Sequence, residues 1–144
     1  MIFANDSFLA EDFIFQGGRI KPHAIMGTEG AGVIAEFEPH ESDIILEKRR
    51  FSAFLGTNLD AILRDLGVDC IAVAGISTPV CVLTTVLDGI SHEFKVIILE
   101  DCCAAYRKAD HDAIINLYRK GALYPLLQAM SLDEFLSTLS AGGE

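Results

Sequence analysis

The sequence predicts an α/β protein in which helices cover both faces of a mostly parallel sheet. Short apolar runs typical of strands alternate with helical runs along the chain, as in consecutive strand–helix–strand units. Two runs, residues 70–75 and 95–101, are rich in Val, Ile, Leu and Ala, as expected of strands buried on both faces. A length of 144 residues and a hydrophobic fraction of 51% allow one domain with a sizeable core. We therefore expect a single domain over residues 1–144, with a three-layer, Rossmann-like α/β/α arrangement.

Four strands and four helices make up this prediction. The strands are expected at residues 2–6, within 41–48, at 70–75 and at 95–101. The helices are expected at residues 57–67, 80–90, 110–122 and 131–140. Thr57 or Asn58 can cap the first helix, which Gly67 ends.

The last predicted helix has both a start signal and an apolar stripe. Ser131 and Glu134 form a capping box, in which each side chain accepts a hydrogen bond from the other residue's backbone. The helical spacing i, i+3, i+4, i+7 then defines a stripe that is either core or interface. Its members are Leu132, Phe135, Leu136 and Leu139.

Composition excludes several classes of function. The net charge is −10, and the only dense basic cluster is the short run at residues 48–50, which argues against a partner that is nucleic acid or an anionic membrane. No apolar run approaches the roughly 20 residues of a membrane span, and the N-terminus lacks the pattern of a signal peptide. The four cysteines show no metal-binding spacing. We therefore expect a cytoplasmic protein that needs no cofactor and no metal.

In parallel α/β folds the active site lies beyond the carboxyl ends of the strands. This rule selects Asp6, Lys48 and the turn at residues 75–81, "GISTPVC". Cys81 is expected in the first turn of a helix, where unpaired N–H groups and the helix dipole stabilise a thiolate or an oxyanion. Its position alone favours the simpler interpretation of a small buried residue, because cysteines without a disulfide are among the most buried residue types.

Residues 47–89 carry a family resemblance in three linked motifs. Lys48 is followed by "SAF", then by "GT" and "LD", and then by a "GxxTxxCV" pattern that ends at Cys81 and Val82. In this order the motifs closely resemble those of the isochorismatase-like cysteine hydrolases. That superfamily includes nicotinamidases, isochorismatases and N-carbamoylsarcosine amidases.

The resemblance implies a mechanism and assigns residues to it. Cys81 would be the nucleophile that attacks a small amide-type substrate and forms a covalent acyl intermediate, and Lys48 would stabilise the site. The backbone N–H groups of Ser77 and Cys81 would form the oxyanion hole. The resemblance also implies a cis peptide bond between Ile76 and Ser77. Hydrolysis of a vinyl ether, the isochorismatase reaction, is neither selected nor excluded.

The N-terminus departs from the family pattern. The chain begins inside what resembles the second strand of the family, so a first strand-and-helix unit on the order of 30 residues is expected to be absent. The general-base aspartate belongs to that unit, and Asp6 does not replace it by position. The alternative is therefore a truncated or non-catalytic member that binds a small molecule or serves as a scaffold.

The resemblance also suggests residues that contact the substrate, namely Asp6, His23 and Phe54. Nicotinamidases hold a divalent ion near the equivalents of the first two, but Phe8 stands where a further histidine would be needed, so we expect no metal site here. Asp6 could instead be a turn residue, His23 a core or pocket residue, and Phe54 a packing residue. Family members commonly assemble as dimers or tetramers, which predicts a homo-oligomer that acts on a small-molecule substrate.

The remaining polar residues have simpler interpretations. Arg49 and Arg50 are expected to be solvated, and Asp101 to be structural. The adjacent Cys102 and Cys103 are expected to be small packing residues, and thiol redox chemistry is the alternative for this pair. The other histidines are interpreted as surface residues, namely His40, His92 and His111.

Overall fold

The structure is a computed structural model, and it describes residues 1–141. The chain divides into two compact units, one from Met1 to Leu59 and one from Asp60 onward. Each unit contains its own parallel sheet, with two strands in the first and three in the second among the described residues. The sequence predicts one sheet, whereas the hydrogen-bonded pairing of the strands defines two.

In the first unit, strand β1 (Ile2–Asp6) pairs in parallel with strand β2 (Ile44–Lys48). The register is regular from its first pair of residues to its last, Asp6 with Lys48. The long connection between the strands contains three short 3₁₀ turns, at Phe13–Phe15, Glu29–Ala31 and Ala35–Phe37. Parallel strands in register end side by side, which places the last side chains of β1 and β2 at the same edge.

Helix α1 (Leu59–Asp65) confirms the predicted start and stop signals. The Thr57 hydroxyl accepts a hydrogen bond from the Leu59 N–H at 3.2 Å, as an N-cap residue does. Gly67 follows the helix with a φ of 68°, a left-handed conformation that favours glycine.

The second unit contains strands β3 (Cys70–Ile76), β4 (Lys95–Ala104) and β5 (Leu127–Met130), which pair in the order β3-β4-β5. Its helices are α2 (Leu83–Ser91), α3 (Lys108–Arg119) and α4 (Leu132–Ala141). Helices α2 and α3 bury apolar side chains against the sheet, and these form a single core with side chains of β4 and β5. The core residues are Val82, Val86, Val96, Ile98, Ile115, Leu127 and Ala129.

All eight predicted elements are present, and the structure adds β5 and corrects the burial of β3. Residues of β3 alternate between half-buried and exposed, and none is buried, although its composition predicts a buried strand. The physical reason is position, because β3 lies at the end of its sheet and pairs with β4 alone among the described residues. The predicted absence of a first strand and helix stays a prediction.

The predicted capping box of α4 is confirmed. The Ser131 N–H donates to the Glu134 carboxylate at 2.8 Å, and the Glu134 N–H donates to the Ser131 hydroxyl at 3.2 Å. The hydrogen bonds that the Ser131 N–H and the Ser131 hydroxyl donate to the Glu134 carboxylate lower the pKa of this carboxyl. Asp101, which is predicted to be structural, accepts a hydrogen bond from the Leu132 N–H at 2.9 Å and so supports the same helix start.

Candidate active site

Lys48 and Asp6 form an ion pair at the carboxyl ends of β1 and β2. The Lys48 ammonium donates a hydrogen bond to the Asp6 carboxylate and a second to the Arg50 carbonyl oxygen at 3.1 Å. The Lys48 side chain is 5% exposed and the Asp6 side chain is 27% exposed. The parallel register fixes this pairing, because the two residues end neighbouring strands at the same level. A buried ammonium with a carboxylate partner can present positive charge at a defined point.

A second ion pair lies next to this one in sequence and corrects one prediction. Arg49 donates to both oxygens of the buried Asp12 carboxylate, at 2.6 Å and 3.3 Å, instead of being solvated. Arg50 is exposed, as predicted. The hydrogen bonds from Arg49 lower the pKa of the Asp12 carboxyl, and a hydrogen bond from the Leu9 N–H adds to this effect. The pair therefore fixes the loop after β1 to the segment that follows Lys48.

The Cys81 turn, Ser77–Val82, connects β3 to α2. A cis peptide bond joins Ile76 to Ser77, as the resemblance implies. Thr78–Val82 then forms one wide helical turn of π type that continues into α2. The Ser77 carbonyl oxygen accepts hydrogen bonds from the N–H groups of Val80 and Val82, at 3.0 Å and 3.2 Å.

Cys81 is half-buried in this turn, and Ser77 is also half-buried. The Cys81 carbonyl oxygen accepts a hydrogen bond from the Thr84 hydroxyl at 3.2 Å. The preceding Gly75 has a φ of 131° at an irregularity in the β3–β4 register, a conformation that side-chain-bearing residues rarely adopt. The thiol thus lies where the chain passes from strand to helix, and the hydrogen bonds of the Ser77 and Cys81 carbonyls order the chain around it.

The structure also joins this turn to α3. Thr78 is fully buried, and its hydroxyl lies 2.9 Å from Nδ1 of His111. His111 is half-buried, so its interpretation as a surface residue is wrong. Sequence reasoning missed this contact because the two residues are 33 positions apart. The available signal was the threonine within the cysteine motif, since a buried hydroxyl requires a partner.

The surroundings of the adjacent cysteines affect their ionisation, and redox chemistry at this pair stays an untested alternative. Cys102 and Cys103 are free thiols on β4. Desolvation raises the pKa of both thiols, and the negative charge of Asp101 adds to this effect. A raised pKa reduces the thiolate fraction on which reaction with peroxide or disulfides depends.

The other predicted site residues lie within the first unit. His23 is exposed, and its ring makes edge contacts with Phe8 and Phe15, with ring centroids 5.6 Å apart in each pair. Phe54 is 7% exposed, which agrees with the packing alternative. Over residues 1–141 the structure shows no group of three or more His, Cys, Asp or Glu side chains placed to hold a metal ion.

The structure therefore groups the predicted residues into two sets. Asp6 and Lys48 meet at the end of the first sheet, and Ser77 and Cys81 share one turn of the second unit. The roles of these residues in catalysis and of Phe54, His23 and Asp6 in substrate binding stay predictions. No helix in the described part of the chain has the length and apolar character needed to cross a bilayer.

The isochorismatase domain family matches residues 2–129, and the chain therefore belongs to this family. Ureidoacrylate amidohydrolase RutB of Serratia proteamaculans (strain 568) is 34% identical over 113 residues, which cover 76% of this chain and 43% of that protein. The chain thus spans less than half the length of this curated relative.

Two solved structures are similar over most of this chain. An isochorismatase-like hydrolase from Alkaliphilus metalliredigens has a TM-score of 0.83 and 31% identity, over 96% of this chain and 72% of that one. A nicotinamidase/pyrazinamidase PncA from Bacillus subtilis has a TM-score of 0.74 and 29% identity, over 90% of this chain and 74% of that one. These matches confirm the predicted Rossmann-like α/β class.

Proposed function

We propose that this protein is a cysteine-dependent hydrolase that cleaves the C–N bond of a small amide-type substrate. The observation that carries the proposal is the Cys81 turn, in which a half-buried cysteine lies in the wide helical turn between a strand and a helix, in a chain of the isochorismatase family. The names of two similar proteins, a ureidoacrylate amidohydrolase and a nicotinamidase, support an amide or carbamoyl group as the substrate class.

The proposed reaction has two covalent steps. The Cys81 thiolate attacks the substrate carbonyl carbon and a C–S bond forms, while the Ser77 and Cys81 N–H groups stabilise the oxyanion. The C–N bond then breaks, and the amine leaves with the proton that the Cys81 thiol gave up on ionisation. Water attacks the thioester, a C–O bond forms and the C–S bond breaks, which releases the carboxylic acid and regenerates the cysteine. The balance is one amide and one water converted to one acid and one amine.

Lys48 is proposed to be the charged catalytic residue, as the family resemblance implies. Its ammonium is buried and oriented by two hydrogen bonds, so it costs little reorganisation when negative charge develops. Asp6 orients the ammonium and offsets part of the cost of burying it.

Substitution of the cysteine tests the proposal most directly. Release of ammonia or amine from nicotinamide, ureidoacrylate and a panel of small carbamoyl compounds is measured for the wild-type protein and for Cys81→Ala. We expect the Cys81→Ala variant to lose at least about 10³-fold in kcat/KM, because no other group replaces the nucleophile.

The matched control is Cys102→Ala, which removes an exposed thiol of the same unit and should retain activity. Equal turnover by wild-type protein and Cys81→Ala would reject the proposal. Binding of the panel compounds without any turnover dependent on Cys81 would instead support the alternative, a non-catalytic small-molecule binder.

We further propose that the protein is a cytoplasmic homo-oligomer. Apolar side chains on one stripe of α4 are exposed, and burial of such residues between copies would stabilise association. The exposed fractions are 36% for Leu132, 49% for Leu136 and 59% for Leu139. Light scattering coupled to size-exclusion chromatography tests the state of assembly, and a monomer at micromolar concentration would contradict it.

A further inference from the structure

The feature that carries a further inference is a buried hydroxyl beside the proposed nucleophile. Thr78 is 0% exposed, and its side chain lies 2.9 Å from Nδ1 of His111. A buried hydroxyl is destabilising without a hydrogen-bond partner, so this contact helps to hold the turn in the observed conformation. Either the hydroxyl donates to an unprotonated Nδ1 or the ring N–H donates to the hydroxyl.

Thr78 occupies a point where several constraints on the Cys81 turn meet. It begins the wide helical turn that contains Cys81. Its carbonyl oxygen accepts a hydrogen bond from the Leu83 N–H, at the start of α2. A shift of the Thr78 side chain would therefore move the backbone that sets the direction of the Cys81 thiol.

His111 is well placed to fix Thr78 from outside the turn. It lies in the first turn of α3, and α3 is anchored to the core by Ile115, which is 4% exposed. The ring also borders a cleft of about 380 Å³ whose walls include Glu100 and Lys108. Because the ring faces an open cleft, its removal leaves no closed cavity. A substitution of His111 should therefore remove the hydrogen bond to Thr78 and leave the packing of the core intact.

We propose that His111 is a positioning residue for Cys81, acting through the Thr78 hydroxyl. The inference rests on the proposed function, because it assigns His111 to the orientation of the same nucleophile. His111 does not touch the reacting atoms, and its effect is the loss of alignment that follows when one hydrogen bond is removed. We therefore expect the loss of this one hydrogen bond to lower thiol reactivity by up to about 10-fold.

The experiment measures the rate of Cys81 alkylation by iodoacetamide, read for each cysteine by mass spectrometry. Labelling does not require turnover, so it tests the turn even where the substrate is unidentified. The variants are Thr78→Val and His111→Ala, which remove the hydrogen bond, and Thr78→Ser and His111→Asn, which retain a partner at the same place. Half-buried Cys103 is the internal control, because general loosening of the second unit would increase its labelling.

We expect Thr78→Val and His111→Ala to lower the Cys81 labelling rate by up to about 10-fold relative to the wild-type protein. The labelling rate of Cys103 should be unchanged. The double variant Thr78→Val with His111→Ala should label at the same rate as either single variant, because both changes break the same hydrogen bond. Thr78→Ser and His111→Asn should restore the wild-type rate. If Thr78→Val fails to fold, the labelling rates of His111→Ala and His111→Asn are compared instead.

Two results would overturn the inference, and they are distinguishable. A reactive Cys81 whose rate is unaffected by His111→Ala, or is not restored by His111→Asn, rejects the role of His111 alone. A wild-type Cys81 that labels no faster than in the urea-unfolded chain rejects the proposed nucleophile and the role of His111 together.

Discussion

The two units place their candidate functional residues by different physical means. At the end of the first sheet, buried charges are held by ion pairs, Lys48 with Asp6 and Arg49 with Asp12. In the second unit, the Cys81 turn is held by neutral hydrogen bonds beside an apolar core that includes Val82 and Val86. The first arrangement depends on charge, whereas the second depends on shape and packing.

This difference predicts which kind of substitution should destabilise each region. An ion pair weakens when one partner is neutralised, and a buried charge left alone is costly. A packed core loses free energy when volume is removed, with little dependence on pH. Changes of charge should therefore act mainly near Lys48, and changes of volume mainly near the Cys81 turn.

The largest expected effect comes from removing volume in the second unit. Ile98 is 0% exposed and lies in the middle of the core, so Ile98→Ala should cost about 3–4 kcal/mol of the free energy of unfolding. Urea titration followed by far-ultraviolet circular dichroism measures this, because strands and helices of both units contribute to the signal. Ile45→Ala is the matched control on β2, where the isoleucine is 51% exposed, and it should cost less than about 1 kcal/mol. Equal costs at both positions would contradict the proposed core.

The next effect compares the two partners of the buried ion pair. Asp6→Asn leaves the Lys48 ammonium, only 5% exposed, without a carboxylate and should cost about 3 kcal/mol. Lys48→Met leaves Asp6, whose side chain is 27% exposed and open to hydration, and should cost about 1 kcal/mol. Urea titration followed by far-ultraviolet circular dichroism gives both values.

The double variant Asp6→Asn with Lys48→Met sharpens this test. It should be about as stable as Lys48→Met alone, because the uncompensated buried charge is absent from both. A Lys48→Met protein that is less stable than Asp6→Asn would show that the ammonium is not the group whose burial is costly.

Strong local patterns made much of the fold predictable from the sequence. The first helix has a cap at Thr57 and a stop at Gly67, and both signals are confirmed. Strand β5 was missed because four residues are too few to show a period of two. The prediction that β3 is buried is wrong. Apolar composition indicates a preference for burial, whereas the neighbours of a strand decide how much of it is covered.

The candidate site was predictable only where the chain order sets the geometry. Asp6 and Lys48 could be expected at one edge because parallel strands end together. The contact of His111 with Thr78 and the ion pair of Arg49 with Asp12 depend on how a helix or a long loop packs. In the first pair the two residues are 33 positions apart in the sequence, and in the second pair they are 37 positions apart. No local sequence pattern encodes such contacts.

The charge-dependent region should also respond to acid. Arg49 lowers the pKa of the Asp12 carboxyl below its unfolded value of about 3.9. A lowered pKa adds stability above the unfolded pKa, and this stability is lost as pH falls through the folded pKa. The melting temperature of Asp12→Asn should therefore lie below that of the wild-type protein at pH 7, with a gap that closes below about pH 4.

Arg49→Gln provides the matched test of this cause. Without the guanidinium the chief reason for the lowered pKa of Asp12 is gone. The melting temperature of Arg49→Gln should therefore also lie below that of the wild-type protein at pH 7, and this difference should also close below about pH 4. A gap between wild type and Asp12→Asn that is constant from pH 7 to pH 3 would contradict the role of the ion pair.

The smallest expected effect concerns a helix start in the second unit that is not part of the Cys81 turn. Ser131→Ala removes the hydroxyl that accepts from the Glu134 N–H and should lower the free energy of unfolding by about 1 kcal/mol. Ser131→Thr retains a hydroxyl and should lose less. Because α4 is held by its own cap and by Asp101, the Cys81 labelling rate should stay at the wild-type value in both variants. A changed labelling rate in Ser131→Ala would mean that the Cys81 turn responds to general stability, and the specific role assigned to Thr78 and His111 would then lose its support.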